Sequence, residues 1–387
     1  MTHDRMVDEL QRRHPGQGPI ELVRAPGRVN LIGEHTDYNE GFVLPVAIDL
    51  EVTIALRPAP GRRVELTSLD LDETDGFALD GLVPREHGQG HWIDYPAATA
   101  WALGEAGFEV RGFQGVIRST VPIGSGLASS AAIELASAWA LMEPAVSSVV
   151  PASQLAQICQ RAEVEYVGVK SGIMDQFSSA AGQAGHAILL DCRTLEARAV
   201  PLPVGLAIVV ANTSSPRRLE ASAYNERVAE CQEAVRIIAQ REPGVRALRD
   251  VDPEMLARHR DRMGAVVGRR AEHIVEENRR VHRLVAALEA GDRPEVGRLM
   301  AASHASLRDL YEVSSPELDA MAEIAWSVPG LVGARMTGAG FGGCTVNLVE
   351  EDAVEALRDA IRERYPPRTG LIPVVHVARA VDGAGPA

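Results

Sequence analysis

Hydrophobic positions along the chain fall into two kinds of run. Apolar stretches bounded by polar, Gly or Pro residues occupy 42–57, 112–117, 187–191, 206–211, 344–349 and 374–378, and these predict strands. Longer stretches repeat their apolar residues every three or four positions. They predict helices over 152–166, 219–240, 269–289, 294–310, 316–327 and 351–365, several entered through Ser, Asp or an acidic first turn. Residues 130–142 differ. They are small and apolar on almost every side, which predicts a buried helix. Two helix-rich stretches flank the strands between 187 and 211, where Pro201 and Pro203 fall. The domain boundary is placed there, giving an N-terminal domain of residues 1–200 and a C-terminal domain of residues 201–387. The last six residues, DGAGPA, read as disordered.

The pattern breaks most sharply at residues 24–50, RAPGRVNLIGEHTDYNEGFVLPVAIDL. Pro26 and Gly27 read as a turn, followed by Arg28. Glu34, His35, Asp37, Tyr38 and Asn39 then crowd into six residues around Thr36. Such crowding is poor core material and suits a ligand rich in hydroxyl groups. Arg28 adds a permanent cation for phosphate or carboxylate.

Three further segments carry chemistry. In VPIGSGLASSAAIELA, residues 121–136, Gly124 and Gly126 precede the buried helix, and Ser129 and Ser130 stand at its start. A helix start with free amides and a positive dipole end suits a phosphate. Ser130 is either a hydroxyl for Mg²⁺ or an ordinary cap. In EVEYVGVKSGIMDQ, residues 163–176, Glu163 taken alone reads as part of a solvated helical face, and Gly168 and Gly172 bracket a tight turn. Asp175, between Met174 and Gln176 and beside the small residues FSSAAG, is a cap or a functional carboxylate, with function favoured. In RMTGAGFGGCTVNLV, residues 335–349, the dense glycines imply sharp turns or close backbone approach; alone they read as a tight loop.

Composition narrows the classes. With 387 residues, 46% hydrophobic and 24% charged, the chain reads as soluble and globular, with room for two domains. A net charge of −14 without a basic tract argues against nucleic acid and anionic membranes as partners. Lys170 is the only lysine. It follows Val169, so there is no Walker A loop. The protein-kinase set is missing as well: VAID at 46–49 has no lysine, and DFG is absent. The triplet His259-Arg260-Asp261 has Val266 where the kinase asparagine would stand. A nucleotide here must be held by backbone amides and metal. Cys159, Cys192, Cys231 and Cys344 form no CxxC, which argues against zinc and disulfides. The polar N-terminus has no apolar signal core, so a reducing, cytoplasmic location is expected.

In this order and at these separations, the four segments resemble the galactokinases of the GHMP small-molecule kinase superfamily. GRVNLIGEHTDYN is similar to the galactokinase signature, PIGSGLASSAA to the nucleotide loop, GIMDQ to the catalytic-aspartate segment and TGAGFGGC to the C-terminal glycine motif. AYNERVAEC, EHIVEENRRV and SHASLRDLYEVSSPELD also match. The resemblance implies an α+β fold, with an S5-like N-terminal domain, a ferredoxin-like C-terminal domain and the site between them. It implies transfer of the ATP γ-phosphate to the C1 hydroxyl of α-D-galactose, the first committed step of the Leloir route, with Mg²⁺ as cofactor. By matching positions, Asp175 would be the catalytic carboxylate and Arg28 its cationic partner. Glu34, His35, Thr36, Asp37, Gly172 and Tyr224 would meet the sugar. Gly124, Ser125, Gly126, Leu127, Ala128, Ser129 and Ser130 would wrap the phosphates, with Ser68 and Trp92 nearer the base. Ser130 and Glu163 would hold Mg²⁺.

Four positions depart from the family pattern. Ala128 replaces a usual serine, and Lys170-Ser171 stands where a cysteine is common at the second place. Asp94 replaces an asparagine, and Leu310 an aspartate. They leave the proposed catalytic groups in place and bear on affinity and sugar breadth. Galactose and ATP are the expected partners of a monomer. A kinase for N-acetylgalactosamine or arabinose, and a non-catalytic sensor of sugar and ATP, are the competing readings.

Overall fold

Residues 3–84, 91–122, 124–215 and 220–387 are described by the structure, a computed structural model. The first half runs α1 (His3–Arg13), β1 (Glu21–Asn30), β2 (Phe42–Val43), β3 (Pro45–Pro58), β4 (Arg63–Ser68), β5 (Glu73–Ala78), α2 (Asp94–Glu105), β6 (Phe113–Ser119), α3 (Ser129–Leu141), α4 (Pro144–Ser147), α5 (Ala152–Arg161), α6 (Met174–Ala181), β7 (His186–Asp191) and β8 (Ala197–Pro201). The second runs β9 (Leu206–Asn212), α7 (Glu220–Ala239), α8 (Pro253–His259), α9 (Gly264–Ala290), α10 (Arg293–Ser306), α11 (Pro316–Trp326), β10 (Leu331–Thr337), β11 (Cys344–Glu350), α12 (Val354–Thr369), β12 (Val374–Ala378) and β13 (Gly385–Pro386). Two π-helical turns, Ala162–Val167 and Leu307–Tyr311, extend α5 and α10.

Six strands in the order β13-β1-β3-β6-β4-β5 form the first sheet, antiparallel except for the pair β4/β6. Helices α2, α3 and α5 cover it through a core that includes Leu56, Leu66, Phe113, Leu135 and Leu155. This explains why α3 is apolar all round: it has sheet beneath it and helices beside it. Strands β10-β11-β9-β12 form an antiparallel second sheet. Helices α11 and α12 pack on it around Met321, Leu357 and Tyr365. A further core joins the halves, setting Val29, Leu31 and Leu44 against Leu284, Leu299 and Val346. The loops between the sheets therefore rest on packed elements from both.

Two expectations fail. Pro26 and Gly27 make no turn; they lie inside β1, where its register against β3 shifts by a bulge. A side chain at Gly27 would meet the Leu127 carbonyl oxygen at 2.6 Å, so the glycine serves close approach, and Arg28 N–H donates to that same carbonyl at 3.0 Å. The DGAGPA tail is ordered and ends in the two-residue edge strand β13. Gly383 N–H donates to Gly182 O at 2.9 Å, Ala384 N–H to Ser179 O at 2.7 Å and Ala387 N–H to Leu22 O at 3.0 Å. The small residues that suggested disorder let the tail lie flat along α6 and β1.

Candidate active site

A cleft of about 1230 Å³ opens between the two sheets. That exceeds the roughly 300–1,000 Å³ of a typical small-ligand pocket, which leaves room for two ligands. Arg28, Glu34, His35, Asp37, Ser68, Trp92, Gly124, Gly126, Ala128, Ser129, Ser130, Glu163, Gly172, Asp175 and Tyr224 all line it. Thr36, Ser125 and Leu127 do not. The Thr36 hydroxyl is used by Gly33 O and Phe42 O at 2.8 and 2.7 Å, and that of Ser125 by Pro122 O at 2.6 Å. The Leu127 side chain is in the core shared by the two halves.

Arg28 and Asp175 meet at the centre. Arg28 sits at the end of β1, buried, and Asp175 in the first turn of α6. The guanidinium donates through Nε at 2.9 Å and pairs through a terminal nitrogen at 2.6 Å, both to Asp175 Oδ1. Another N–H donates to Gly126 O at 2.5 Å. With Oδ1 taken, Oδ2 remains to accept from a ligand in the cleft.

Asp37 lies on one side of this pair. Its carboxylate presses so closely on Gly172 that a methyl group there would stand 1.8 Å from Oδ2. Burial, and then the charge of Asp175, push Asp37 up to about 7. Near neutral pH it can therefore donate to a hydroxyl as well as accept from one.

Glu34 and His35 are more constrained than their sequence context implies. Glu34 Oε2 accepts from Asn30 Nδ2 at 2.8 Å and from Arg335 at 2.6 Å. Oε1 accepts from Gly338 N–H at 2.9 Å and lies 3.2 Å from the Thr337 hydroxyl. Three N–H donors, from β1, β10 and the glycine loop after it, thus hold the carboxylate, while the Thr337 hydroxyl proton is shared with Asn30 O at 3.1 Å. Burial raises the Glu34 carboxyl above its usual range although Arg335 opposes this. His35 has φ of 65° and is pushed down to about 3, chiefly by burial and then by His273, so its ring is neutral. Its Nε2 donates to Ala339 O at 3.2 Å, which leaves Nδ1 to accept from Tyr38 at 2.9 Å. Tyr38 must then accept from Tyr311 at 2.7 Å, and Tyr311 from the Cys231 thiol at 3.1 Å. Tyr224 lies beside this chain, its ring 5.8 Å from His35 and tilted by 40° to it.

Helix α9 secures the loop from behind. Glu277 accepts from Gly33 N–H at 3.0 Å and Ser303 at 2.5 Å, Asn278 accepts from Phe42 N–H at 2.9 Å, and His273 donates to Glu34 O at 3.2 Å. Burial alone would raise Glu277, but Arg280, His273 and Arg335 outweigh it and hold it at about 2. Neither the apolar period of α9 nor its match to EHIVEENRRV assigns it this role.

The far side of the cleft holds the glycine loop and α3. Ala128 occupies the N-cap with φ of 61° and offers no side-chain acceptor, so no cap competes with an anion for the first amides of α3. Glu163 is buried, against its reading as a solvated face. The π-turn that begins beside it leaves the α-helical phase. Its carboxylate bonds Ser130, Ser171 and, at 2.9 Å, Gln176 Nε2, and burial still raises it above the usual range. Gln176 Nε2 also donates to the buried Glu134 at 3.0 Å. Burial first, and the charge of Glu163 second, push Glu134 well above a normal carboxyl.

Comparisons with known proteins agree with this arrangement. A model described as "Galactokinase galactose-binding signature" matches residues 11–58, and the GHMP kinase N-terminal and C-terminal models match 94–183 and 284–367. A galactokinase from Roseiflexus sp. is 47% identical over 97% of this chain and 95% of its own length. The chain belongs to the galactokinase family. Another galactokinase, from Chloroflexus aggregans, is 44% identical over 95% of this chain and 94% of its own. The Lactococcus lactis galactokinase, solved in complex with galactose, superposes with a TM-score of 0.93 at 38% identity, covering 99% of both chains. Mevalonate kinase from Methanococcus jannaschii shares the fold, at 21% identity and a TM-score of 0.66 over 95% of this chain and all of its own. The galactokinase-family fold is the α+β GHMP architecture expected from the motifs. Of the departures, Leu310 lies in the second π-turn and its carbonyl accepts from Arg270 at 2.5 Å. Asp94 is buried at the start of α2 and accepts from His91 N–H at 3.1 Å.

Proposed function

We propose that this chain transfers the γ-phosphoryl group of ATP to the C1 hydroxyl of α-D-galactose, giving galactose 1-phosphate and ADP, in the cytoplasm and as a monomer. In this reading residues 1–200 carry most of the sugar and nucleotide contacts, and residues 201–387 supply the glycine loop and the back of the sugar site. The observation that carries it is Asp175 Oδ2, left open between the Asp37–Gly172 contact and the start of α3. Sugar hydroxyls meet Asp37, the Gly172 backbone, Tyr224 and the Glu34–His35 wall, while Ser68 and Trp92 flank the base. Asp175 orients the C1 hydroxyl and accepts its proton late, as the oxygen–phosphorus bond forms. Phosphoryl transfer through a loose transition state rests on such positioning and on charge neutralisation. Arg28 fixes the carboxylate and faces the charge on the transferring group.

Ser130 and Glu163 suit Mg²⁺: they are adjacent hard oxygen donors, and Glu163 is buried beside the loop. Among the described residues, no group of three or more His, Cys, Asp and Glu could hold a metal without the nucleotide. Bound there, the ion would neutralise the β- and γ-phosphates. No helix among the described residues is long and apolar enough to cross a membrane.

A panel of sugars in an ATP-coupled assay tests the reading. Glucose differs at one hydroxyl, and each buried group left unpaired costs on the order of 1–3 kcal/mol. Glucose is expected to lose about 100-fold or more in kcat/KM relative to galactose; equal rates would refute the assignment. Gly172→Ala is expected to raise the galactose KM at least about tenfold with the ATP KM little changed, because Asp37 must turn away from the new methyl group. An unchanged galactose KM would remove the Asp37–Gly172 contact from the sugar site.

A further inference from the structure

Lys170 is the single lysine of a chain that otherwise uses arginine, and it stands on the cleft wall. Six carboxylates among the described residues line the same cleft: Glu34, Asp37, Asp70, Glu73, Glu163 and Asp175. Among the described residues only two permanent cations face them, Arg28 and Lys170. Arg28 is already committed to Asp175 and Gly126 O. The Lys170 side chain is exposed and has no hydrogen bond or ion pair among the described residues. Its main chain, by contrast, is tethered. Val169 N–H donates to Glu163 O at 3.1 Å, Gln160 Nε2 to Ser171 O at 3.1 Å, and the Ser171 hydroxyl to the Glu163 carboxylate.

A triphosphate entering this cleft meets many like charges in a chain of net charge −14. One metal ion and the α3 amides offset part of that. A free ammonium on a flexible stem, rooted next to Glu163, is placed to offset more. We infer that Lys170 is a nucleotide-binding residue whose ammonium contacts the triphosphate. This rests on the ATP site of the proposed function and adds a residue to it.

Lys170 is the only side-chain amine, which makes the test direct. The full-length protein is treated with an acetylating N-hydroxysuccinimide ester, and modification is followed by peptide mass spectrometry. ATP, with or without Mg²⁺, is expected to slow acetylation of Lys170 about tenfold or more, whereas galactose alone leaves it unchanged. The chain's α-amino group is the internal control. In steady-state kinetics Lys170→Gln is expected to raise the ATP KM about tenfold while the galactose KM stays within about twofold, and Lys170→Arg should recover most of the loss. Acetylation indifferent to ATP, or an unaltered ATP KM in Lys170→Gln, overturns the inference even where wild-type turnover of galactose upholds the proposed function. If the wild type fails to phosphorylate galactose, protection by ATP still decides the role of Lys170.

Discussion

Asp175→Asn is expected to bind galactose and ATP nearly as well as the wild type and to lose on the order of 10³-fold or more in kcat. The replacement is almost isosteric. Its amide oxygen can keep the Oδ1 position that Arg28 holds at 2.6–2.9 Å, so the centre of the site stays assembled. What disappears is the second carboxylate oxygen, and with it both the proton acceptor and the negative charge that orients the hydroxyl. Calorimetry would report the two affinities, and single-turnover release of ADP the chemical step. Near-normal turnover would show that the hydroxyl loses its proton without this carboxylate. Arg28 would then be left as the main contributor at the centre.

Arg335→Met is expected to produce the largest loss of stability, about 3–5 kcal/mol, read by denaturant unfolding at neutral pH. Arg335 is fully buried and Glu34 is 1% exposed, so removing the guanidinium strands a carboxylate that water cannot reach. The double variant Glu34→Gln/Arg335→Met should recover a large part of the loss, since most of the cost is the orphaned charge. The pH dependence has a definite sign. Burial already raises Glu34 above 4.5, and without Arg335 it rises further. The folded variant then binds a proton that the unfolded chain releases near 4.5. Its stability therefore falls as pH rises from about that value through the folded pKa, and the deficit should be larger at pH 8 than at pH 5. A deficit independent of pH would mean that lost packing, not charge, dominates.

The elements most legible in the sequence are those whose apolar residues form an unbroken run. Helix α3 is apolar all round and sits in the first core, and β12 has the bounds its apolar run predicts. Strand β1 escapes notice because Arg24, Pro26, Gly27 and Arg28 interrupt its pattern. The bulge at Pro26–Gly27 and the cleft facing Arg28 supply the reasons, and both are tertiary. Strand β10 is obscured by the buried Arg335, whose partner Glu34 lies some 300 residues away in sequence. The motif segments were legible as candidate chemistry since each carries its own glycines and polar crowd. The clamping of Glu34 by Arg335 and Gly338, the hydrogen-bond chain from Cys231 to His35, and the support from Glu277 and His273 depend on contacts across the halves. No local spacing encodes those.

The π-turn at Ala162–Val167 has a consequence for insertions and deletions. A helix with such a turn carries one residue more than an α-helix of the same course. Deleting one codon between Val164 and Val167 would let the helix close as regular α, with Glu163 still in phase with α5. Backbone hydrogen bonding would be as complete as before. The segment that follows, however, would leave the axis rotated by about 100°. Ser171 would swing off Glu163, Gly172 off Asp37 and Lys170 off the cleft wall. The shortened gene would encode a disconnected site, and Tyr166 and Val167 would also turn off their seats in the first core, so the surplus residue serves reach and packing together.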